Sequence, residues 1–366
     1  MVFRVLVTDA DTKHSISIQR AVKQTAADIE VIAHTEVKPK HAHLYKYYDR
    51  MISGTSLYSV LCRREFDMVI PVGGGSVLTV DATCRDLAVL PSSEALARVY
   101  DKHALLELAQ ELKVPAPRTI CVFDERELSD YALTFPCVVK PAQETEAKFV
   151  VYPRDRAELR AVVASKFAQA GGRLRHGILV QEYVRGQGVG FFALYQEGSI
   201  RRAFMHRRLR EWPPSGGASS AARAISDPNL AVFARRMLDA LSWNGIAMVE
   251  FKYDPDSRRY ALMEINGKFW GSYELSVAAG LDFAGDLVRV FRGEELTYCD
   301  AYNSEAAFAW PLDGDLINIL VRGAFTELAS YWRGGIKTNL GQSRRADAYK
   351  ILALPLKMVQ YMVIGS

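Results

Sequence analysis

Two glutamates and an asparagine within MVEFKYDPDSRRYALMEINGKFWGS, residues 248–272, have types and spacing that point to chemistry. The runs IAMVEFKY and YALMEIN alternate with the period of half-buried strands, and DPDS between them supplies turn residues. With the hairpin centred near Ser257, Glu250 stands opposite Glu264. Alternation then puts Met248, Glu250, Lys252, Leu262, Glu264 and Asn266 on one face, and Val249, Phe251, Tyr253, Ala261, Met263 and Ile265 on a core-like second face. Like charges directly across a ladder cost stability unless a cation lies between them. Two carboxylates and an amide oxygen form the all-oxygen set that Mg²⁺ prefers when water and phosphates complete its shell. On the hairpin alone, a solvated face with Lys252 and Arg258 as neighbours explains the pair equally well.

Other residues become interesting beside that pair. HRRLRE reads as a strand and its following loop, and alternation sends His206, Arg208 and Arg210 to one side and Arg207 to the other. Lys140 ends the strand-like run FPCVVKP, Lys102 sits in a helical stretch, and VQEYV at 180–184 reads as an edge strand. A solvated position is the competing reading for each cation.

These residues need a framework, and the chain can build one. Its 366 residues, 49% hydrophobic and 24% charged, allow two or three packed units. A net charge of +4 with acids and bases interleaved, and no aromatic-basic motif, argues against nucleic acid and suits a phosphate-bearing small molecule. Five scattered cysteines without a CxxC pair argue against a disulfide framework or zinc site and for a reducing compartment. MVFRVLVTDADTKHS enters a strand directly and resembles no secretory signal, so the cytoplasm is expected. No apolar run reaches the roughly 20 residues of a membrane span. The apolar tail YKILALPLKMVQYMVIGS is expected to dock internally, with a partner or a membrane surface as alternatives, and Pro355 is expected to interrupt any long helix there.

FRVLVTDA, SISIQRAVKQTAAD, IEVIAHTE, FDMVIPVGGGS and SVLTVDATCRDLAVL alternate strand and helix, which predicts an open parallel sheet over residues 1–92. VGGGS fits neither GxGxxG nor the P-loop pattern and reads as a glycine turn. SSEALARVYDKHALLELAQELKV predicts a helix, FPCVVKPAQ and AKFVVYPRD a strand pair, and RAELRAVVASKFAQAGG a helix. HGILVQEYVRGQGVGFFALYQEGSIRRAFMHRRLREW predicts strands with tight turns, NLAVFARRMLDALSW a helix, and SYELSVAAGLDFAGDLVRVFRG helices. The region after Ala301 is expected to be mostly helical.

In order, DK at 101–102, VVKP at 138–141, VQEYVRG at 180–186, VEF at 249–251 and MEINGKFWGS at 263–272 resemble the ATP-grasp superfamily. HRRLRE, PPSGG and INxxFWGS resemble elements of its carboxylate-amine ligase and carbamoyl-phosphate-synthase-like branch. The resemblance implies an α/β and α+β ATP-grasp fold: an N-terminal open parallel pre-ATP-grasp domain (1–92), a central subdomain with the VVKP lysine and adenine linker (93–184), a C-terminal subdomain with the metal site (185–300), and a helical extension (301–366). Two α+β subdomains sandwich ATP. A carboxylate attacks the γ-phosphate, and the acylphosphate is captured by an amine.

By the same resemblance, Lys102 and Lys140 meet the phosphates, and Gln181, Glu182, Tyr183 and Val184 pair with adenine, Glu182 accepting from its amino group. Gly188 occupies the place where many relatives carry a ribose-binding glutamate. Glu250, Glu264 and Asn266 hold two Mg²⁺ ions, with Mn²⁺ as the alternative metal. Arg208 clamps the transferring phosphoryl group with His206 beside it, and Lys268 stands where relatives have arginine. AQETEAKFV replaces the usual glycine-rich phosphate loop, with Thr145 and Lys148 as substitutes. SGGASS and FWGSYE, with Trp270 and Tyr273, are expected to line the acceptor pocket, although core aromatics are an equal reading. Partners are then small-molecule carboxylate and amine substrates, and a homodimer is compatible. A nucleotide-binding regulatory protein and a small-molecule kinase are the competing functions.

Overall fold

A computed structural model of the chain describes residues 2–128, 133–143, 149–171, 174–214, 217–332 and 335–364. It opens with β1 (Phe3–Val7), α1 (Lys13–Thr25), β2 (Ile29–Thr35), β3 (Arg50–Ser53), α2 (Leu57–Leu61), β4 (Met68–Ile70) and α3 (Gly74–Thr83). The strands form a parallel sheet in the order β3-β2-β1-β4, as the alternation predicts. Val5 to Val7, Val31 to Ala33 and Met68 to Ile70 are buried, which is why they read as unbroken apolar runs. The edge strand β3, with sequence RMIS, has no such run and is not announced by the sequence.

The single helix expected next is two, α4 (Ser93–Tyr100) and α5 (Lys102–Glu111). Asp101 separates them, because its carboxylate accepts from the backbone N–H groups of His103 at 2.9 Å and Ala104 at 3.1 Å and caps α5. Lys102 therefore opens a helix rather than lying within one.

β5 (Thr119–Val122), β6 (Cys137–Pro141), α6 (Arg156–Gln169) and β7 (Ile178–Glu182) follow. These strands make a small antiparallel sheet, β5-β7-β6, with Leu159, Val163 and Phe167 of α6 packed behind it. The partner strand expected from AKFVVYPRD is reduced, among the described residues, to one bridge between Val139 and Val151.

The remaining elements are β8 (Gln187–Gln196), β9 (Ser199–Trp212), β10 (Ala218–Ala224), α7 (Pro228–Ala240), β11 (Gly245–Asp254), β12 (Arg259–Asn266), α8 (Tyr273–Ala279), α9 (Phe283–Phe291), β13 (Ala307–Ala309), α10 (Asp315–Arg322), β14 (Lys337–Thr338) and α11 (Arg344–Ile364). Their strands form the large sheet, β12-β11-β8-β9-β10-β13-β14, antiparallel up to the parallel β13–β14 pair. Alternation along β8 splits its aromatics between two cores. Phe191 and Tyr195 join α4, α5 and α7 on one side; Phe192 and Leu194 join α1, α8, α9 and the parallel sheet on the other. The N-terminal sheet and the large sheet thus share one apolar core.

Residues after 301 are mostly helical, as expected, although β13 and β14 extend the large sheet. The expected interruption at Pro355 does not occur, for α11 runs through it. The inner face of this helix docks: Ala346 is buried with Ile16 and Tyr45, and Lys350 Nζ lies 2.8 and 3.0 Å from the Asp313 carboxylate oxygens. The outer face does not, because Leu352 is 82% exposed and Leu356 63%. Internal docking of the tail therefore holds for one face only. No helix among the described residues is long and apolar enough to cross a membrane.

Candidate active site

The hairpin β11–β12 brings Glu250 opposite Glu264, the register read from the sequence. The faces beyond that pair need correction. Glu250 pairs with Glu264 but Phe251 pairs with Leu262, so Met263 is an extra residue in β12. The bulge swaps the faces that follow. Leu262, expected beside the glutamates, is buried in the core with Val249, Phe251 and Ile265, whereas Met263 and Lys252 border the cleft.

Both carboxylates are half-buried, and their environments pull them apart. Burial raises Glu250 to about 7, opposed by Arg208 and reinforced by the negative charge of Glu264. Burial opposes ionisation of Glu264 as well, but Lys102, hydrogen bonds from Glu250 and Asn266, and Lys140 outweigh it and hold that carboxyl at about 2. Asn266 Nδ2 donates to Glu264 Oε1 at 2.8 Å, and Lys102 Nζ lies 3.9 Å from Glu264 Oε2. Burial thus favours a proton on Glu250 while Glu264 keeps its charge, and a hard divalent cation fits that donor set.

Lys140, 9% exposed on β6, and Lys102 border the same cleft of about 320 Å³ as Gln181, Glu182, Tyr183, Val184, Gly188, Arg208 and Glu250. The Lys102 N–H donates to the Ala142 carbonyl at 3.0 Å, fixing the start of α5 against the end of β6. β7 stops at Glu182 and β8 starts at Gln187, which leaves Tyr183 and Val184 in a connection free to present backbone to a ligand. The Glu182 side chain is otherwise engaged: it accepts from the Arg118 N–H at 3.1 Å and from Arg259 at 3.3 Å. Gln181 Nε2 donates to Thr119 Oγ1 at 2.8 Å, while its buried Oε1 has no partner among the described residues.

Arg208 leaves β9 for the cleft, where it donates to Glu250, to the Gly217 carbonyl at 3.0 Å and to Glu211 at 3.4 Å. Gly188 is the reason it fits, because a Cβ there would come within 2.8 Å of Arg208 Cδ. His206 does not join it. Its ring is 1% exposed, packs edge-on against Phe192 at 4.6 Å, and is driven down to about 3 by burial and by Arg208. Arg210 is also absent from the cleft, being paired with Asp315. An extra residue in β9, Leu209, parts Arg210 from Arg208, whereas His206 stays in regular register with Arg208 and is buried farther along the strand.

A second cavity, about 520 Å³, adjoins the first and shares Lys102 and Glu264 with it. Lys268 and Asn266 border it on one side; Gly74, Gly75 and Leu78 of α3, and Val99 and Tyr100 of α4, border the other. VGGGS is thus a helix start facing a cavity, a role its motif does not reveal. Trp270 and Tyr273, expected here, are buried core aromatics at 2% and 0% exposure. Gly217, from SGGASS, borders the first cavity instead. Thr145 and Lys148 lie outside the described residues.

No protein-family profile matches the chain. Among curated proteins it is 28% identical over 139 residues to the formate-dependent phosphoribosylglycinamide formyltransferase of Erwinia tasmaniensis, covering 37% of this chain and 35% of that one. It is 22% identical over 185 residues to the D-aspartate ligase of Enterococcus faecium, covering 46% and 44%. The matches thus span under half the length of these relatives. Solved structures of similar fold include the L-amino acid ligase of Bacillus licheniformis (TM-score 0.59, 15% identity, 79% of this chain and 74% of that one). Another is the 2-oxoglutarate carboxylase biotin carboxylase domain of Hydrogenobacter thermophilus, in complex with MgADP, ADP and bicarbonate (TM-score 0.67, 13% identity, 84% and 73%).

Proposed function

From the ATP-grasp fold of this chain as premise, we propose an ATP-dependent ligase that activates a carboxylate as its acylphosphate and joins it to an amine, releasing ADP and phosphate. The observation that carries this reading is the pair of adjoining cavities that share Lys102 and Glu264: one has the cations and linker for a nucleotide, the other room for an acid. Segments 1–92, 93–184, 185–300 and 301–366 serve as N-terminal domain, two nucleotide-clasping subdomains and extension. The substrates are small molecules, and the expected compartment is the cytoplasm.

The residues divide the work. Lys140 and Lys102 neutralise phosphate oxygens as point charges, and the main chain at 182–184 receives the adenine edge. Glu250, Glu264 and Asn266 hold Mg²⁺. Bound there, the cation supplies charge neutralisation for the transferring phosphoryl group. Lys268 orients the acid so that a carboxylate oxygen faces the γ-phosphorus, and the bond to ADP breaks as the acyl–phosphate bond forms. Arg208 turns from Glu250 to the phosphoryl oxygens, where its planar donors are worth most. The amine then attacks the acyl carbon, loses a proton, and expels phosphate. His206, sealed in the core, takes no part.

A nucleotide-binding regulatory role is the second reading, favoured by Gly188 in place of a ribose glutamate and by the glycine-free AQETEAKFV. ADP and phosphate release with Mg-ATP across pooled carboxylic acids and amines, wild type beside Glu264→Gln, decides between them. Release that needs both acid and amine and is lost in the variant supports the ligase. Tight Mg-ATP binding without release under any pool supports the regulatory protein.

A further inference from the structure

Three consecutive residues at the end of β9 are held by the C-terminal extension. Arg210 makes a bidentate pair with Asp315, both contacts at 2.7 Å, and a third contact with Glu327 at 3.1 Å. The Glu211 carbonyl accepts from Asn318 Nδ2 at 2.6 Å. The Trp212 ring packs on Tyr361 at 4.7 Å, and Gly314 approaches it so closely that a Cβ there would meet Trp212 at 2.7 Å. Asp315 and Asn318 lie one turn apart on α10. Asp315 is fully buried and also accepts from Ser220 Oγ at 2.9 Å and Tyr331 Oη at 2.5 Å. Ser220 is itself the extra residue of a bulge in β10, since Ser219 pairs with Glu211 and Ala221 with Arg210.

The gripped stretch begins two residues beyond Arg208, and Glu211 lies in both networks. Its backbone is tied to Asn318 while its carboxylate accepts from Arg208 and from the Gly217 N–H, each at 3.4 Å. A bidentate buried pair fixes direction as well as distance, because the guanidinium fork must stay coplanar with the carboxylate. Slack at 210–212 would pass directly to the partners of Arg208.

We propose that Asp315 and Asn318 are positioning residues for Arg208, and that the extension acts as a brace aiming this arginine at the transferring phosphoryl group. The inference rests on the reading of the cleft as a phosphoryl-transfer site. It gives residues 301–366, which carry no catalytic motif, a part in turnover without contact to substrate.

The test compares affinity for Mg-ADP alone with affinity for Mg-ADP plus aluminium fluoride, which mimics the transferring group. It uses the full-length chain as wild type, Asn318→Ala and Asp315→Asn, with Asp313→Asn as a control at the other anchor of the extension. Wild type and control should gain about tenfold or more from the fluoride. Asn318→Ala and Asp315→Asn should keep Mg-ADP affinity within about twofold of wild type while most of that gain disappears. Asn318→Ala leaves no buried charge unpaired, so it remains informative if Asp315→Asn fails to fold. A full fluoride gain in Asn318→Ala, or equal loss in the Asp313→Asn control, would overturn the brace. Absence of any gain in wild type would overturn the phosphoryl-transfer reading and the brace with it.

Discussion

Glu250 and Glu264 face each other across one rung of the β11–β12 ladder, yet burial lifts the first to about 7 while Lys102, Asn266 and Lys140 hold the second at about 2. Near neutral pH the rung is therefore only partly ionised at Glu250, and a cation bound there would favour its full ionisation. Mg²⁺ must displace the Glu250 proton, so its affinity should rise about tenfold per pH unit up to about pH 7 and level off above it. Calorimetric titration of Mg²⁺ with a fixed ATP analogue at pH 6, 7 and 8 checks this. A flat profile would place the metal elsewhere.

Glu264→Gln should weaken Mg-ATP binding more than metal-free ATP binding, because it removes the carboxylate that stays ionised. Glu250→Gln should destabilise the metal-free fold, since it leaves the Arg208 guanidinium without its closest carboxylate partner. Thermal denaturation in chelator, with and without Mg-ATP, separates the two effects.

Lys140→Ala should lower nucleotide affinity about 10–100-fold, the worth of a charge-assisted hydrogen bond to phosphate. The loss should be far smaller for adenosine, which lacks phosphates. Equal losses for both ligands would mean that Lys140 supports the cleft rather than the phosphates.

Lys13 lies half-buried with its Nζ 2.8 Å from the Ser219 carbonyl and 4.2 Å from the Trp310 ring centre, and burial depresses it to about 8 despite Asp313 and Glu274. Its folded value lies below its unfolded one, so the cost of the charge is fully present below pH 8 and is relieved as pH rises toward 10.5. Lys13→Met should therefore be as stable as wild type or more so at pH 7.5. Between pH 8 and pH 10.5 wild type should gain about 3 kcal/mol relative to the variant. Urea denaturation of both proteins across that range measures the difference.

Pro355 sits exposed within α11, where it removes one backbone hydrogen bond. Pro355→Ala should stabilise the helix by about 1–3 kcal/mol. Slower amide exchange over residues 351–359 would report it, and unchanged exchange would show that tertiary contacts already dominate there.

Local pattern carried the parallel sheet and the hairpin register, because burial on both faces and strand alternation leave a direct trace in residue order, whereas the cleft lysines were singled out only by the family resemblance. It missed features that depend on one residue out of step. A single extra residue, Met263, exchanged the faces of Leu262 and its neighbours, and another, Leu209 in β9, parted Arg210 from Arg208. Asp101 looked like a helix residue until its side chain was seen capping α5. The grip of Asp315 and Asn318 on β9 spans about a hundred residues and follows no spacing rule, so nothing in the linear chain announces it.

The contact between Gly188 and Arg208 makes two positions one choice. With 2.8 Å between a would-be Cβ and Arg208 Cδ, this chain gives the volume over β8 to an arginine. Adding a glutamate at 188 would force the Arg208 side chain to shift. A longer side chain at 188 and Arg208 in its present pose are thus rival occupants of one place.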